Sequence, residues 1–556
     1  MPEIIHGEIK NAANEAEGTG ARRKRFVVWG LIPIYLLFVL RCRWNLDMSN
    51  SVFNRFKDRL GEVIDVQAAI AVLHWDEEVY MPSKAGEGRG RQLATLSALA
   101  HRMFTSPDMG GMVEELLGHA DSLDPDQRKL VEETWYDYQR AVRLPDTFVE
   151  RFAEECSRSY HAWVTARKES NFSLFQPCLE TMVELLREKA EYLGYEGSPY
   201  NALLEEFERG MRMEELSTLF FSLAPRLIAL ARRISAADPP DTRWLDQSWD
   251  EQSQWNFSLN VLTDMGYDFE AGRQDRSVHP FTTNFDLYDV RITTRIDPRD
   301  LFSGLMGSIH EGGHALYEQG FLEKDRRTLL AQAPSLGIHE SQSRFWENII
   351  GRSLPFWQHY LPELKKQYPG QLDSITPEQV HRAINRVRPS LIRVEADECT
   401  YNLHIMLRFE IEVALIEGAI YVEDVPALWN AKMKQYLGVD VPEDRLGCLQ
   451  DIHWAHGAMG YFPTYALGNL YAAQLHEKML QDMPEFWNHI EQGDFSPARQ
   501  WLRGQVHQVG RRQTASAIIE AATGAKPSAE PFLRYLCGKY SALYGLKNVD
   551  MMSSKD

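Results

Sequence analysis

From about Asn54 to Arg233 apolar residues recur at intervals of three and four, as in LVEETWYDYQRAV, FVERFAEECSRSYHAWV and LETMVELLREKAEYLG. That period belongs to amphipathic helices. The interruptions MPSKAGEG, LPDTF, GYEGSPYN and AADPPDTR carry Gly or Pro where a helix stops, so the pattern predicts helical hairpins over 48–235. Between about Arg276 and Ile296 the texture changes to short segments rich in Thr, Val and Ile, SVHPFTTNF and YDVRITTRI, which read as two or three strands of a small sheet. The helical period then returns. Asp297 and Pro298 suit the N-cap and first position of a helix running to Gln319 and ending at Gly320. Further helices are expected near 340–365, 376–416, 425–437, 463–480, 497–508 and 513–523. The fold class expected is mainly α: one large helical domain over 48–546, its 236–546 part carrying the site, with a small β-sheet beside one helix and a substrate groove between helical halves. No fixed-period repeat points to a solenoid.

Composition narrows the partners. In 556 residues the formal net charge is -19, from 60 Lys+Arg against 79 Asp+Glu, and such a field repels phosphate backbones, so no nucleic-acid partner is expected. Six cysteines lie far apart and form no CxxC pair, which argues against a thiolate zinc site or a disulfide framework and for reduced, cytoplasmic thiols. Residues 1–47 form an extension, and 547–556 a tail. Within the extension, RRKRFVVWGLIPIYLLFVLRCRW sets a basic cluster before an apolar run from Phe26 to Leu40. As a helix the run covers about 22 Å, short of the roughly 30 Å hydrocarbon core. No small-residue cleavage site follows it. A membrane anchor or export signal over 22–43 is therefore the alternative to a cytoplasmic protein whose fold starts near Met48.

The chemistry concentrates in SIHEGGHALYEQG, residues 308–320. On a helix, His310 and His314 stack one turn apart and can direct nitrogens at one ion. Glu311 is rotated about 100° from His310, placing a carboxylate beside a metal-activated water without ligating the metal. The competing reading is an ordinary helix with His314 and Leu316 packed inward and Glu311 in solvent. A catalytic zinc usually takes a third protein ligand. Glu318 lies roughly 12 Å further along the axis, too far for one ion. The next helix, GIHESQSRFWENIIG, offers Glu340, which a cationic partner would suit at an otherwise apolar helix entrance, with Glu347 and His339 as alternatives.

These residues, with others in the same order, resemble the M32 metallocarboxypeptidases, the family of thermostable carboxypeptidase 1. The shared motifs are HPF (His279 to Phe281), DVRITT (Asp289 to Thr294), HEGGH, HESQ (His339 to Gln342), IRVEAD (Ile392 to Asp397) and GCLQDIHW (Gly447 to Trp454), with LHWDEEVYMP near residue 73. The similarity runs from about Met48 to about Leu546; residues 1–47 depart from it. It implies a mostly helical enzyme, a homodimer, that needs one divalent metal per chain and removes single residues from peptide C-termini. By motif match His310, His314 and Glu340 are the ligands and Glu311 the base. Zinc suits two imidazoles and a carboxylate, with cobalt as the other candidate.

The remaining motifs fit an exopeptidase that binds peptides with a free C-terminus. A terminal carboxylate is best held by the planar fork of an arginine, and Arg393 is the candidate, unless it pairs with Glu395 or Asp397. Arg291 is a second candidate anion contact, with a structural pairing to Asp289 as the alternative. The oxyanion formed by water attack needs a donor, for which His453 and Tyr461 are expected, Tyr465 competing. The edge of VRITT could bind an extended peptide by strand addition. His279 belongs near the site by resemblance. The expected function is metal-dependent carboxypeptidase; an endopeptidase or dipeptidase with the same centre is the alternative among enzymes, and a non-catalytic metal-bound helical protein the alternative outside them.

Overall fold

A computed structural model describes residues 25–546, with side chains from Ser51 onward. Residues 1–24 and 547–556, and with them the start of the extension and the tail, lie outside the described residues. The first helix, α1, spans Arg25–Val79 and runs through Met48, where the fold was expected to begin. Among the described residues no helix is long and apolar enough to cross a membrane.

The N-terminal part is helical as its periodicity predicts. After α1 come α2 (Gly86–Phe104), α3 (Pro107–Gly118), α4 (Pro125–Arg143), α5 (Asp146–Glu169), α6 (Gln176–Leu193) and α7 (Met213–Ser235). The Gly- and Pro-bearing breaks fall between them. Local chemistry sets the starts: α4 opens with a capping box in which Asp124 accepts the Gln127 amide, followed by Pro125.

Helix α8 (Glu251–Met265) leads into a three-stranded sheet: β1 (Gly272–Arg276), β2 (Thr282–Asp286) and β3 (Asp289–Thr294) in the order β1-β3-β2. β1 runs parallel to β3 and β2 antiparallel to it. β1 is a strand that the sequence pattern missed, because GRQDR carries no β-branched or aromatic residue. Since β3 is the middle strand, both its edges are already paired, and VRITT cannot accept a peptide strand. β2 is the edge strand on the side of the site.

The site helix α9 spans Ser303–Glu318, starting later than Pro298. Residues Asp297 to Asp300 instead make a tight turn closed by an isolated bridge, which the chain needs to reverse from β3 into the helix. Asp300, not Asp297, accepts the amides at the helix entrance, those of Phe302 and Ser303. α10 (Leu336–Arg344), capped by Ser335, passes into a π-helical segment, Phe345–Gly351, before α11 (Leu354–Gln367). The expected single helix over 376–416 is two, α12 (Pro377–Ile384) and α13 (Tyr401–Ile416). Pro389 lies between them, and prolines exclude their predecessor from helical geometry. Arg393 accordingly sits in a 3-10 turn, Arg393–Glu395. α14 (Val425–Leu437), α15 (Phe462–Asp482), α16 (Ser496–Gln505), α17 (Ala515–Thr523) and α18 (Glu530–Tyr544) complete the fold. One hydrophobic core extends from Trp163 in α5 to Leu543 in α18, and a smaller one joins α1, α3 and α4 to Leu329 and Leu330.

Candidate active site

Close helix packing brings the site together. A Cβ on Gly313 of α9 would lie 2.7 Å from the Cα of Ser343 and 2.8 Å from the carbonyl oxygen of Gln342, both in α10. One on Gly468 of α15 would lie 2.5 Å from Cγ of Glu340. Glycine in a helix interior costs about 1 kcal/mol relative to alanine. Here that cost is offset by an approach that lets a carboxylate from α10 reach two imidazoles on α9.

The ligand atoms of His310, His314 and Glu340 all lie within 4.8 Å of one another. Glu340 Oε2 is 3.7 Å from Nε2 of His310 and 3.4 Å from Nε2 of His314. The other nitrogen of each ring is engaged away from this centre. His310 Nδ1 donates to Glu347 Oε2 at 2.9 Å. His314 Nδ1 meets His339 Nδ1 at 2.5 Å, and His339 Nε2 meets Glu318 Oε1 at 2.7 Å. If His339 donates to Glu318, its Nδ1 accepts from His314, and both ligand rings keep their Nε2 lone pairs for the centre. The three alternatives weighed as third ligands thus occupy a surrounding layer that fixes ring tautomers, as hydrogen-bonded carboxylates do around metal-binding histidines.

Electrostatics agree with a cation site. Burial pulls His314 down to about 3, so it is neutral at physiological pH. Burial also pulls down on His310, but Glu340 and Glu347 outweigh it and raise the ring above its ordinary range. Burial would push the Glu340 carboxyl up; Arg344 and His310 more than reverse this and hold it well below the usual range. Arg344 Nε donates to Glu340 Oε1 at 2.7 Å, leaving Oε2 toward the histidines. Two imidazole nitrogens and one ionised carboxylate oxygen, converging in a half-buried space with their outer valences satisfied, suit a divalent cation.

Glu311 is 6% exposed, not a solvated helix residue. Thr282, at the start of β2, donates to its Oε2 at 2.7 Å and also lies 3.0 Å from its carbonyl oxygen. Burial raises the Glu311 carboxyl above its ordinary value, against the opposing effects of His310 and Thr282. A carboxylate moved up toward the working pH is a better general base.

Arg393 is buried and its partner is neither Glu395 nor Asp397. Its Nε and Nη2 donate to Asp451 Oδ1 at 3.0 and 2.8 Å and its Nη1 to Tyr401 at 3.0 Å. Asp397 instead caps its own segment, accepting from Arg388, Cys399 and Thr400. Asp451 also takes Arg408, at 2.8 Å through Nε, so two guanidiniums share one carboxylate. The ring of Tyr465 covers Arg393 at 4.9 Å. Through Tyr401, whose ring lies 4.6 Å from Arg344, this group adjoins Glu340. Burial lowers His453 to about 3, with Arg393 and Arg408 adding to the effect, so it is a neutral imidazole; its Nε2 is 3.3 Å from the Tyr465 hydroxyl. Tyr461 packs against both rings, at 5.1 and 5.3 Å, and burial, with Glu340 adding to it, raises its phenol.

The two remaining candidate contacts have these local surroundings. Arg291 pairs with Asp289 at 2.8 Å and lies between the rings of Trp75 and Phe285. The ring of His279 is exposed, and its carbonyl accepts from Ser277. The sequence reading missed Thr282, Arg344, Arg408 and Asp451. Two of them had a signal: Arg344 stands four residues after Glu340, the spacing of a helical ion pair, and Asp451 lies inside GCLQDIHW.

Comparison with known proteins decides the family. Residues 55–540 match the family described as Carboxypeptidase Taq (M32) metallopeptidase. This chain belongs to the M32 family. It is a metal-dependent carboxypeptidase. Relatives of the M32 chain include carboxypeptidase 1 of Bacillus subtilis, 41% identical over 88% of this chain and 98% of the relative. Thermostable carboxypeptidase 1 of Thermus thermophilus is 42% identical over 85% and 95%. Among solved structures, the M32 carboxypeptidase from Deinococcus radiodurans R1 superposes with a TM-score of 0.88 at 38% identity, over 89% of this chain and 100% of that one. Metallocarboxypeptidase 1 of Trypanosoma cruzi does so with 0.84 at 33%, over 88% and 99%.

Proposed function

We propose that this M32 enzyme hydrolyses the last peptide bond of peptides with a free C-terminus at the centre made by His310, His314 and Glu340, with Glu311 as general base. The observation that carries this reading is the convergence of those three ligand groups beside a buried glutamate whose proton affinity is raised. A divalent cation held by the three residues, zinc by preference and cobalt as the alternative, supplies Lewis acidity toward the scissile carbonyl and the attacking water. Glu311 takes the proton of that water on Oε1 while Thr282 holds Oε2, and passes the proton to the leaving amine.

Arg393 positions the terminal carboxylate. With Arg408 it shares the single Asp451 carboxylate, so this buried group carries an excess positive charge. Two of the five N–H donors of Arg393 are left for substrate. Tyr461 and His453 donate to the oxyanion; Tyr461 is preferred to Tyr465, whose hydroxyl already lies against His453. The free edge of β2 is the strand along which an extended substrate can pair. Arg291 and His279 keep at most outer contacts with substrate. A homodimer in the cytoplasm completes the reading, supported by the family resemblance and by cysteines without a disulfide framework.

The test is product analysis over time on one peptide with a free and an amidated C-terminus. Sequential loss of single residues from the free peptide, none from the amide and none with chelator, is expected. Equal cleavage of both forms would replace the exopeptidase reading by an endopeptidase.

A further inference from the structure

A second cavity lies behind the C-terminal end of α9, with a volume of ≈ 320 Å³. That is at the small end of the range of about 300–1,000 Å³ found for small-molecule pockets. Arg499 and Arg503, one turn apart on α16, line it together. Among the described residues neither guanidinium lies within ion-pair distance of a carboxylate, and Asp494 is the acid that acts on Arg499 from further off. Arg499 Nη1 is fixed at 3.1 Å on the Met265 carbonyl, and a Cβ at Gly266 would fall 1.0 Å from that nitrogen. The guanidinium is therefore seated in a notch that only glycine leaves open. Burial and the neighbouring Arg503 both oppose the charge of Arg499, and Asp494 favours it without reversing the effect. Two adjacent guanidiniums that no carboxylate bridges, in a concave wall, leave N–H donors open to an anion.

The same wall carries the opposite sign and an apolar surface. Asp268 and Glu323 line the cavity; Asp268 accepts the Glu270 amide, and Glu323 accepts the Tyr288 hydroxyl with Arg326 nearby. Leu287, Leu316 and Phe321 supply apolar contact. A ligand with a carboxylate, a cationic group and a short apolar body satisfies all three features. We propose that this cavity is a second binding site, separate from the catalytic centre, for a free α-amino acid with an apolar side chain. The choice of ligand class rests on the carboxypeptidase activity, which releases such molecules.

The cavity adjoins the helices that hold the catalytic residues. Leu316 follows His314 by two positions, and the wall residue His507 sits 2.9 Å from Gln342, two positions after Glu340. Its ring also packs on Tyr317, which in turn packs on His339. A bound amino acid therefore braces α9 against α10.

The experiment is equilibrium dialysis of the metal-loaded enzyme with radiolabelled leucine, in parallel with R503E and the R499Q/R503Q double variant. Arg503 is exposed, so R503E is expected to fold, which unchanged hydrolysis of peptide at low product concentration would verify. The expected result is one bound leucine per chain that weakens about tenfold or more in both variants and is not displaced by N-acetyl-leucine, which lacks the cationic group. Leucine binding that is the same in all three proteins overturns the proposal, as does displacement by inorganic phosphate at lower concentration than by leucine, the mark of a plain oxyanion site. Peptide hydrolysis measured on the same samples separates this failure from a failure of the carboxypeptidase reading.

Discussion

Around the two imidazoles each glutamate has a different task, set by its surroundings. Glu340 is held ionised by Arg344 and presents Oε2 inward, Glu347 orients His310, Glu318 orients His339, and Glu311 is pushed up by burial. Glu311→Gln keeps the shape and the Thr282 contact but removes the proton acceptor. Its kcat is expected to fall about 10²–10⁴-fold with metal content unchanged, measured by steady-state kinetics beside elemental analysis; a loss of metal in parallel would make Glu311 a ligand. His339→Ala removes the acceptor for His314 Nδ1 and leaves all three ligands. Metal affinity measured by competition with a chelator is expected to drop about 10–100-fold, and an unchanged affinity would show that His339 does not orient the ring.

Helices α9, α10 and α15 meet where glycines remove the side chains between them. Gly468→Ala puts a methyl into Glu340, and overpacking of this kind costs about 1–3 kcal/mol. Thermal unfolding should show that loss together with weaker metal binding, whereas the same change at exposed Gly504, with nothing near its Cβ, should show neither. This close approach also explains what the sequence revealed at the level of elements. The grouping of His310, His314 and Glu340 was legible because one helical turn fixes the two imidazoles and the helix that carries Glu340 follows directly. Less legible were features created by non-local packing. The entrance of α9 shifted from Asp297 to Asp300 because the chain had to turn back from β3. The 376–416 segment split around Pro389. The partner of Arg393 proved to be Asp451, 58 positions away, and no spacing rule reaches that far.

At the scale of the whole molecule, buried ion groups act both between distant segments and within one. Asp451 joins the 3-10 turn of Arg393 to Arg408 in α13, and Glu340 and Glu347 bind Arg344 and Arg352. Burial opposes ionisation of all three carboxylates, yet their arginine and histidine partners hold each well below the usual range. Their folded proton affinity is therefore lower than the unfolded value of about 4. The stability they contribute is fully present above about pH 4 and is lost as the pH falls further, because the unfolded state then binds more protons. Unfolding temperature should drop steeply below about pH 4, and Asp451→Asn should be less stable at neutral pH but show a shallower acid limb. A variant with the same slope would remove Asp451 from this account.

The central claim is that one cation is held between α9 and α10 by His310, His314 and Glu340. Anomalous X-ray scattering at the metal edge, on crystals of the metal-loaded enzyme, tests it most directly. The expected result is a single peak about 2.0–2.2 Å from Nε2 of both histidines and from the Glu340 carboxylate. A peak ligated by Glu347, Glu318 or His339 in place of any of the three, or none between these helices in active enzyme, would contradict it.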